Sequence, residues 1–462
     1  MFIIFNIMHL IRNITYVFTV VTLIVSCDNE TFESPSSSID IDDVIELPQV
    51  FINTNGQEIV DEPKILADMT ITTGETVNFV GKIGIEIRGS SSQFFPKKQF
   101  GIETRDDTGE DIDVAILEFP EEEDWILNAP YSDKTLFRNV LIYDLSRDIG
   151  RYASRVEFVE LTINDLYNGI YVFMEKLKRD ENRIDINKLK EDENSGEDVT
   201  GGYILKIDKA DGANETIYTD FNAFASNFTP NGADGDQKIY FNYDYPKAEK
   251  ITLEQRTYIS TYINDFETAL YDGNFADMEE GYANYIDVNS FIEFFILNEL
   301  ANNVDGYRLS TWLTKEKNEK LKMGPIWDFN LAFGNANYCG GENTNVWAYK
   351  FNDRCPNDFW LIPFWWEKLM EDPAFVMQLK DRWFELRSGQ LSNNAIQDKI
   401  DFYETILQSS LSIDRNFNRW PILSTYIWPN NFIGNTYEEE LRYLREFIET
   451  RVTWLDINIA DL

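Results

Sequence analysis

NNVDGYRLSTWLTKEKNEKLKMGPIWDFNLAFG, residues 302–334, decides how this chain is read. It follows the apolar run Phe291 to Leu300, whose spacing predicts a helix capped by Asp287 or Asn289. Tyr307–Thr314 and Leu321–Trp327 are rich in aromatic and β-branched residues and flank the polar turn Lys315–Lys320, the pattern of a β-hairpin. Asp305 stands at its entrance and Asp328 at its exit. Antiparallel strands bring their outer ends together, so these two carboxylates are expected to converge. One carboxylate to address a hydroxyl and one to hold Mg²⁺ against phosphates is the minimum that phosphoryl transfer asks of a protein.

Upstream, Val50–Ile52, Met69–Ile71, Thr76–Val80, Ile83–Arg88 and Gln99–Thr104 read as short strands separated by Gly, Asn or Asp. The last two flank Gly89-Ser90-Ser91-Ser92, a loop whose amides and hydroxyls are free to cradle phosphate. Lys97 and Lys98 open the next strand. Alternation puts them on opposite faces, so one can reach a cleft and the other is a surface lysine. Asp124–Arg147 reads as a turn followed by a helix capped by Ser132 or Asp133. Val156–Ile163 and Leu166–Phe173 form a hairpin about Asn164-Asp165 or about Asn168-Gly169. Gly202–Asp208 reads as a strand, Asp211–Gly235 as a long surface insertion, and Thr252–Leu270 as a helix.

With 462 residues, 43% of them apolar, the chain can bury a large core. A formal net charge of −39 makes nucleic acid a poor partner. It also repels nucleotides at long range, although salt screens that beyond about 10 Å. Any nucleotide site must therefore supply local cations and metal. The apolar run Ile14–Val25 ends in Ile24-Val25-Ser26-Cys27, the pattern of a lipoprotein signal with Cys27 as the lipidated residue; a transmembrane anchor is the competing reading, and Met8 an alternative start. The acidic, Ser-rich stretch after it reads as a disordered tether. Cys339 and Cys355 either remain thiols or, in an oxidising compartment, form a disulfide worth on the order of 3 kcal/mol. Zinc is disfavoured, because the single histidine, His9, lies in the signal.

Several stretches in order, IEIRGSSSQFFPKKQFGIE (Ile85–Glu103), DWILNAPYSDKTLFRN (Asp124–Asn139), VELTINDLYNGIYVFMEK (Val159–Lys176), GGYIL (Gly201–Leu205) and YIDVNSFIEFFILNEL (Tyr285–Leu300), together with the opening stretch, resemble the CotH (spore coat protein H) family of atypical protein kinases, over roughly Val50 to Gly334. The resemblance implies an α+β, two-lobed atypical protein-kinase-like fold, to which the helix-like segments after Gly334 add a mainly helical C-terminal part. It implies ATP and Mg²⁺ as cofactors and an exported protein as substrate, phosphorylated on Ser or Thr. Asp305 is then the catalytic base, and Asp328, Asn303 and Asn330 the candidate metal ligands. Arg88, Ser90, Ser91, Ser92, Lys97, Lys98 and Arg138 are candidates for the phosphates, and the strand exit at Met174 and Glu175 for the adenine. Two positions depart from the pattern. Ser310 occupies the slot of a metal-binding Asn, and Asn330 replaces a more usual Asp.

The expected organisation is a lipoprotein signal (1–27), a tether (28–47), a kinase-like part (48–334, divided near 177 into N- and C-lobes) and a mainly helical extension (335–462). Helices are expected at Pro363–Glu371, Pro373–Ser388, Asn394–Leu411 and Tyr437–Leu455, with the aromatic run Phe359–Trp366 as core or as a binding surface. Membrane contact is expected only through the lipid anchor. Two other readings compete: an idle relative that binds a surface protein or polysaccharide without transfer, and a carbohydrate-active protein, since aromatics make up 15% of the chain.

Overall fold

The computed structural model describes residues 45–210, 217–234 and 237–462. Cys27, the signal and nearly all of the tether lie outside the described residues. Ile45–Leu462 form one compact α+β unit.

Strands β1 (Gln49–Asn53), β2 (Ile65–Thr73), β3 (Thr76–Arg88), β4 (Gln99–Arg105) and β5 (Asp124–Asn128) are followed by α1 (Arg138–Asp148), β6 (Val156–Ile163) and β7 (Leu166–Glu175). The seven strands close into a barrel in the order β1-β2-β3-β4-β5-β7-β6, with β1 and β6 pairing parallel to seal it. Closure removes the free edges a seven-stranded sheet would expose. Alternate residues fill the interior: Ile83 and Ile85 of β3, Phe100 and Ile102 of β4, Trp125 and Leu127 of β5, Tyr171 and Phe173 of β7. The intervening residues Ile126, Val172 and Met174 belong to the main core outside the barrel. A strand buried on both faces loses its alternation. That is why Asp124–Asn128, which pairs with β4 and β7 as a strand, reads as a turn in the sequence. Asn164 (φ 49°) and Asp165 (φ 64°) are both left-handed, which fixes the β6–β7 turn at these two residues.

The second sheet, β12-β11-β8-β10-β9, contains β8 (Tyr203–Ile207), β9 (Ala223–Ala225), β10 (Tyr240–Tyr245), β11 (Thr311–Lys315) and β12 (Leu321–Met323). The hairpin expected from the sequence is β11–β12, in the register Leu313↔Met323, but it is shorter than expected. Left-handed Tyr307 (φ 70°) and Ser310 (φ 46°) interrupt its first strand, and Pro325, lacking an N–H, cannot extend the second. The expected insertion at 211–235 contributes β9 as an edge strand beside β10.

Helix α2 (Leu253–Tyr271) starts in a Thr252/Gln255 capping box, and α3 (Val288–Ala301) starts at Asp287, whose side chain accepts from the Ser290 amide at 2.9 Å. Then come α4 (Phe351–Arg354), α5 (Trp365–Leu369), α6 (Pro373–Arg387), α7 (Asn393–Ser409), α8 (Ser412–Arg419) and α9 (Tyr437–Ala460). The Phe359–Trp366 run is mainly core: Trp365 and Trp366 are fully buried, while Phe359 is exposed. Cys339 and Cys355 are joined in a disulfide. Among the described residues no helix is long and apolar enough to cross a membrane.

Helix α3 is apolar nearly all round and buried along its length. Its one fully buried acid, Glu299, accepts from Arg451 of α9 (3.1 Å), from the Ala348 and Tyr349 amides (2.8 Å each) and from the Tyr307 hydroxyl (3.0 Å). Arg451 also donates to the carbonyls of Glu299 (2.7 Å) and Thr344 (3.0 Å). Removing one member of such a pair strands the other charge without water. Arg451→Ala is therefore expected to destabilise the protein by about 3–5 kcal/mol in denaturant titration; a change under about 1 kcal/mol, the scale of an exposed pair, would show that the pair is dispensable.

Candidate active site

A cleft of about 390 Å³ runs between the outer face of the barrel and the second sheet. One wall carries Arg88, the Gly89–Ser92 loop, Ile126, Met174 and Lys176; the other carries Lys206, Asp208, Asp305, Trp312, Asp328 and Asn330. A second cavity of about 290 Å³ lies beside the hairpin, lined by Phe294, Leu297 and Met323 among others, and neither carboxylate lines it.

The expected convergence of Asp305 and Asp328 is what the fold delivers: both line the cleft, and the charge of Asp305 reaches Asp328. Asp305 lies just beyond the C-cap of α3. Its Oδ1 accepts from Arg308 (2.7 Å) and from the Tyr338 hydroxyl (3.1 Å). Asp328 has a left-handed backbone (φ 63°), unusual for a residue with a side chain. Helix α1 holds it there. Tyr143 accepts from the Asp328 amide (3.1 Å), and Asn139, one turn earlier on the same helix face, accepts from the Phe329 amide (2.6 Å). The Asp328 side chain is exposed to the cleft, at a depth where protein crowds round it. That depth pushes its carboxyl up to about 6, as do Asp305 and Asp208; Arg88 and Lys209 pull the other way.

Cations gather around these acids. The Arg88 guanidinium lies 5.9 Å over the Trp327 ring. Lys206 lies 5.5 Å over Trp312 and 3.4 Å from Asp208. Burial works against its charge, but Asp208 and Asp244 carry its pKa above the ordinary lysine value. In the serine loop, Gly89 has φ 101°, and a Cβ there would meet Ser92 Oγ at 2.1 Å, so glycine is required. The buried Ser90 hydroxyl has no partner within the protein.

Arg88, Ser90, Ser91, Ser92, Met174, Asp305, Asp328 and Asn330 therefore share one cleft. The other candidates do not line it. Lys97 is 2% exposed; its amine donates to the Ile170 carbonyl (2.6 Å) and to Asn416 of α8 (3.1 Å), because α8 covers the outer end of that strand. Burial lowers its pKa to about 7. Lys98 turns back onto the Gln93 carbonyl. Arg138 is buried against Asp133 (2.5 Å), whose carboxylate also accepts from the first amide of α1 (2.8 Å). Glu175 is on the opposite face of β7 from Met174 and pairs with Arg155 (2.7 Å). Asn303 is buried, accepting from the Asp305 amide (3.2 Å).

Lys206, Asp208, Asn139, Tyr143 and Trp428 were not assigned to the site from sequence. A signal existed for Lys206, a lone cation in the apolar run YILKI that becomes β8. Away from the cleft, Asp113, Glu122 and Glu123 bring carboxylate oxygens within 4.8 Å of one another, but Lys178 already pairs with two of the three (2.5 and 2.9 Å).

A family model described as CotH kinase protein matches residues 85–455. The match extends well past Gly334, where the sequence resemblance was expected to fade, so the C-terminal helices belong to the family's own body. No curated protein matches the chain significantly.

A carboxyl raised from 3.8 to about 6 binds more protons folded than unfolded between those values, so stability falls as pH rises through that window. Asp328→Asn removes the loss. The variant should melt above wild type at pH 7, with the gap narrowing toward pH 4; calorimetric melting at both values checks this, and equal melting at pH 7 would count against a strained carboxylate.

Proposed function

Because the chain belongs to the CotH kinase family, we propose that it is a lipid-anchored protein kinase of the cell envelope, transferring the γ-phosphoryl group of ATP to Ser or Thr of an exported protein. The barrel and the second-sheet half are read as its two lobes. The observation that carries the reading is the meeting of Asp305 and Asp328 in a cleft that also presents the Gly89–Ser92 loop.

The residues present suit the nucleotide and its metal. Asp328, held up to about 6 beside two other acids, and Asn330 offer oxygens for Mg²⁺. Bound there, Mg²⁺ supplies neutralisation of the phosphate charge. Ser90, with its orphaned hydroxyl, and the backbone made accessible by Gly89 suit phosphate oxygens. Arg88 and Lys206 take the cationic role that the sequence suggested for Lys97 or Lys98. Ile126, Met174 and Leu177 give the cleft an apolar patch suited to adenine. Asp305 accepts the proton of the acceptor hydroxyl. The lipobox at Cys27 supports the anchor.

A second reading, nucleotide binding without transfer, has one observation in its favour: the cleft positions with metal-binding potential beside Asp328 carry Ser310 and Asn330, which add no charge. Calorimetry with Mg²⁺ and ATP, paired with radiolabel transfer to a Ser/Thr peptide pool, separates the two. Lys206→Met should weaken binding by about tenfold, roughly 1.4 kcal/mol, whereas Lys97→Met should leave it nearly unchanged. Asp305→Asn should stop transfer and spare binding. Mg²⁺-dependent binding with no transfer in wild type would favour the second reading, and no binding at all would sink both.

A further inference from the structure

We infer that Tyr338 and Arg308 are positioning residues that fix the Asp305 carboxylate through Oδ1 and leave Oδ2 to meet the acceptor hydroxyl. The inference rests on the proposed role of Asp305 as base. Both donors converge on a single oxygen: Arg308 Nη2 at 2.7 Å and the Tyr338 hydroxyl at 3.1 Å. Oδ1 thus has its lone pairs engaged, and rotation of the carboxylate would break both bonds at once.

The holders are themselves held. Arg308 is 2% exposed, donates to the Val304 carbonyl (3.1 Å), to Asp358 (3.2 Å) and to the Trp360 carbonyl (3.2 Å), and lies 4.0 Å over the Phe351 ring. Tyr338 stacks on Trp428 at the cleft wall, centroids 6.1 Å apart and planes 5° from parallel. Its neighbour Cys339 is bonded to Cys355, so Tyr338 and Asp358 flank a cross-linked loop that itself carries Phe351. Burial, together with the charge of Asp305, pushes the Tyr338 phenol far up, so it stays a hydrogen-bond donor at neutral pH. In the transfer step, Oδ2 takes the proton of the Ser or Thr hydroxyl. The hydroxyl oxygen bonds to the γ-phosphorus as the bond from that phosphorus to the bridging oxygen breaks, and ADP leaves with the electron pair.

Tyr338→Phe keeps the ring on Trp428 and deletes only the hydroxyl. Arg308→Lys keeps the charge and loses the fork. In the full-length protein each should lower kcat by about 10- to 100-fold, while the calorimetric Kd for ATP with Mg²⁺ stays within about twofold. A merely structural role would instead move Kd and melting temperature together with kcat. Asp305→Asn is the control. If it transfers at the wild-type rate, the base assignment fails; if it is inactive while both positioning variants keep wild-type kcat, this inference alone is overturned. Crystal structures of the two variants read the point without turnover and decide it for an inactive wild type: a turned or disordered Asp305 carboxylate supports the inference, and an unmoved one in both variants overturns it.

Discussion

The pair between Glu299 and Arg451 is the contact on which the rest of the site depends. Both side chains are shut off from water. Isolated, either charge would be intolerable at that depth; together, with two amides, a phenol and backbone carbonyls filling their remaining bonds, they become a fixed point. Helix α3 is fastened there to α9, and the 344–349 segment to both. Tyr307, bonded to the same carboxylate, sits two residues beyond Asp305. The placement of the candidate base is thus set from beneath by an ion pair that never touches the cleft.

Charge in the cleft is organised locally against the character of the whole chain. A protein at −39 keeps Arg88, Lys206 and Lys209 beside Asp305, Asp328 and Asp208. Burial, more than uncompensated charge, keeps Asp328 pushed toward the neutral form despite these cations. A carboxylate held in this way costs the fold some stability at neutral pH.

Much of this was legible in the sequence because it rests on local rules. The hairpin, the capped helix before it and the Asn164-Asp165 turn follow from periodicity and turn chemistry, and they suffice to bring Asp305 and Asp328 together. The misreadings come from tertiary context. Nothing local says that α8 will cover Lys97, or that Asp124–Asn128 will be buried on both faces and so lose its alternation. Barrel closure depends on β1 meeting β6 across more than a hundred residues, a parallel pairing with no short-range signature. Glu175 and Met174 show the resolution limit of such reading: adjacent residues of one strand, of which only Met174 faces the cleft.

Glu299 and Arg451 are 152 positions apart, and Arg451 lies in the last helix. Chains emerge from the ribosome in order. The barrel, complete by Glu175, has all its strands early. Helix α3 must wait for α9 before its buried acid has a partner. The wall bearing Arg88 and the Gly89–Ser92 loop can therefore form early on a nascent chain, while the wall bearing the carboxylates is fastened only once α9 has followed.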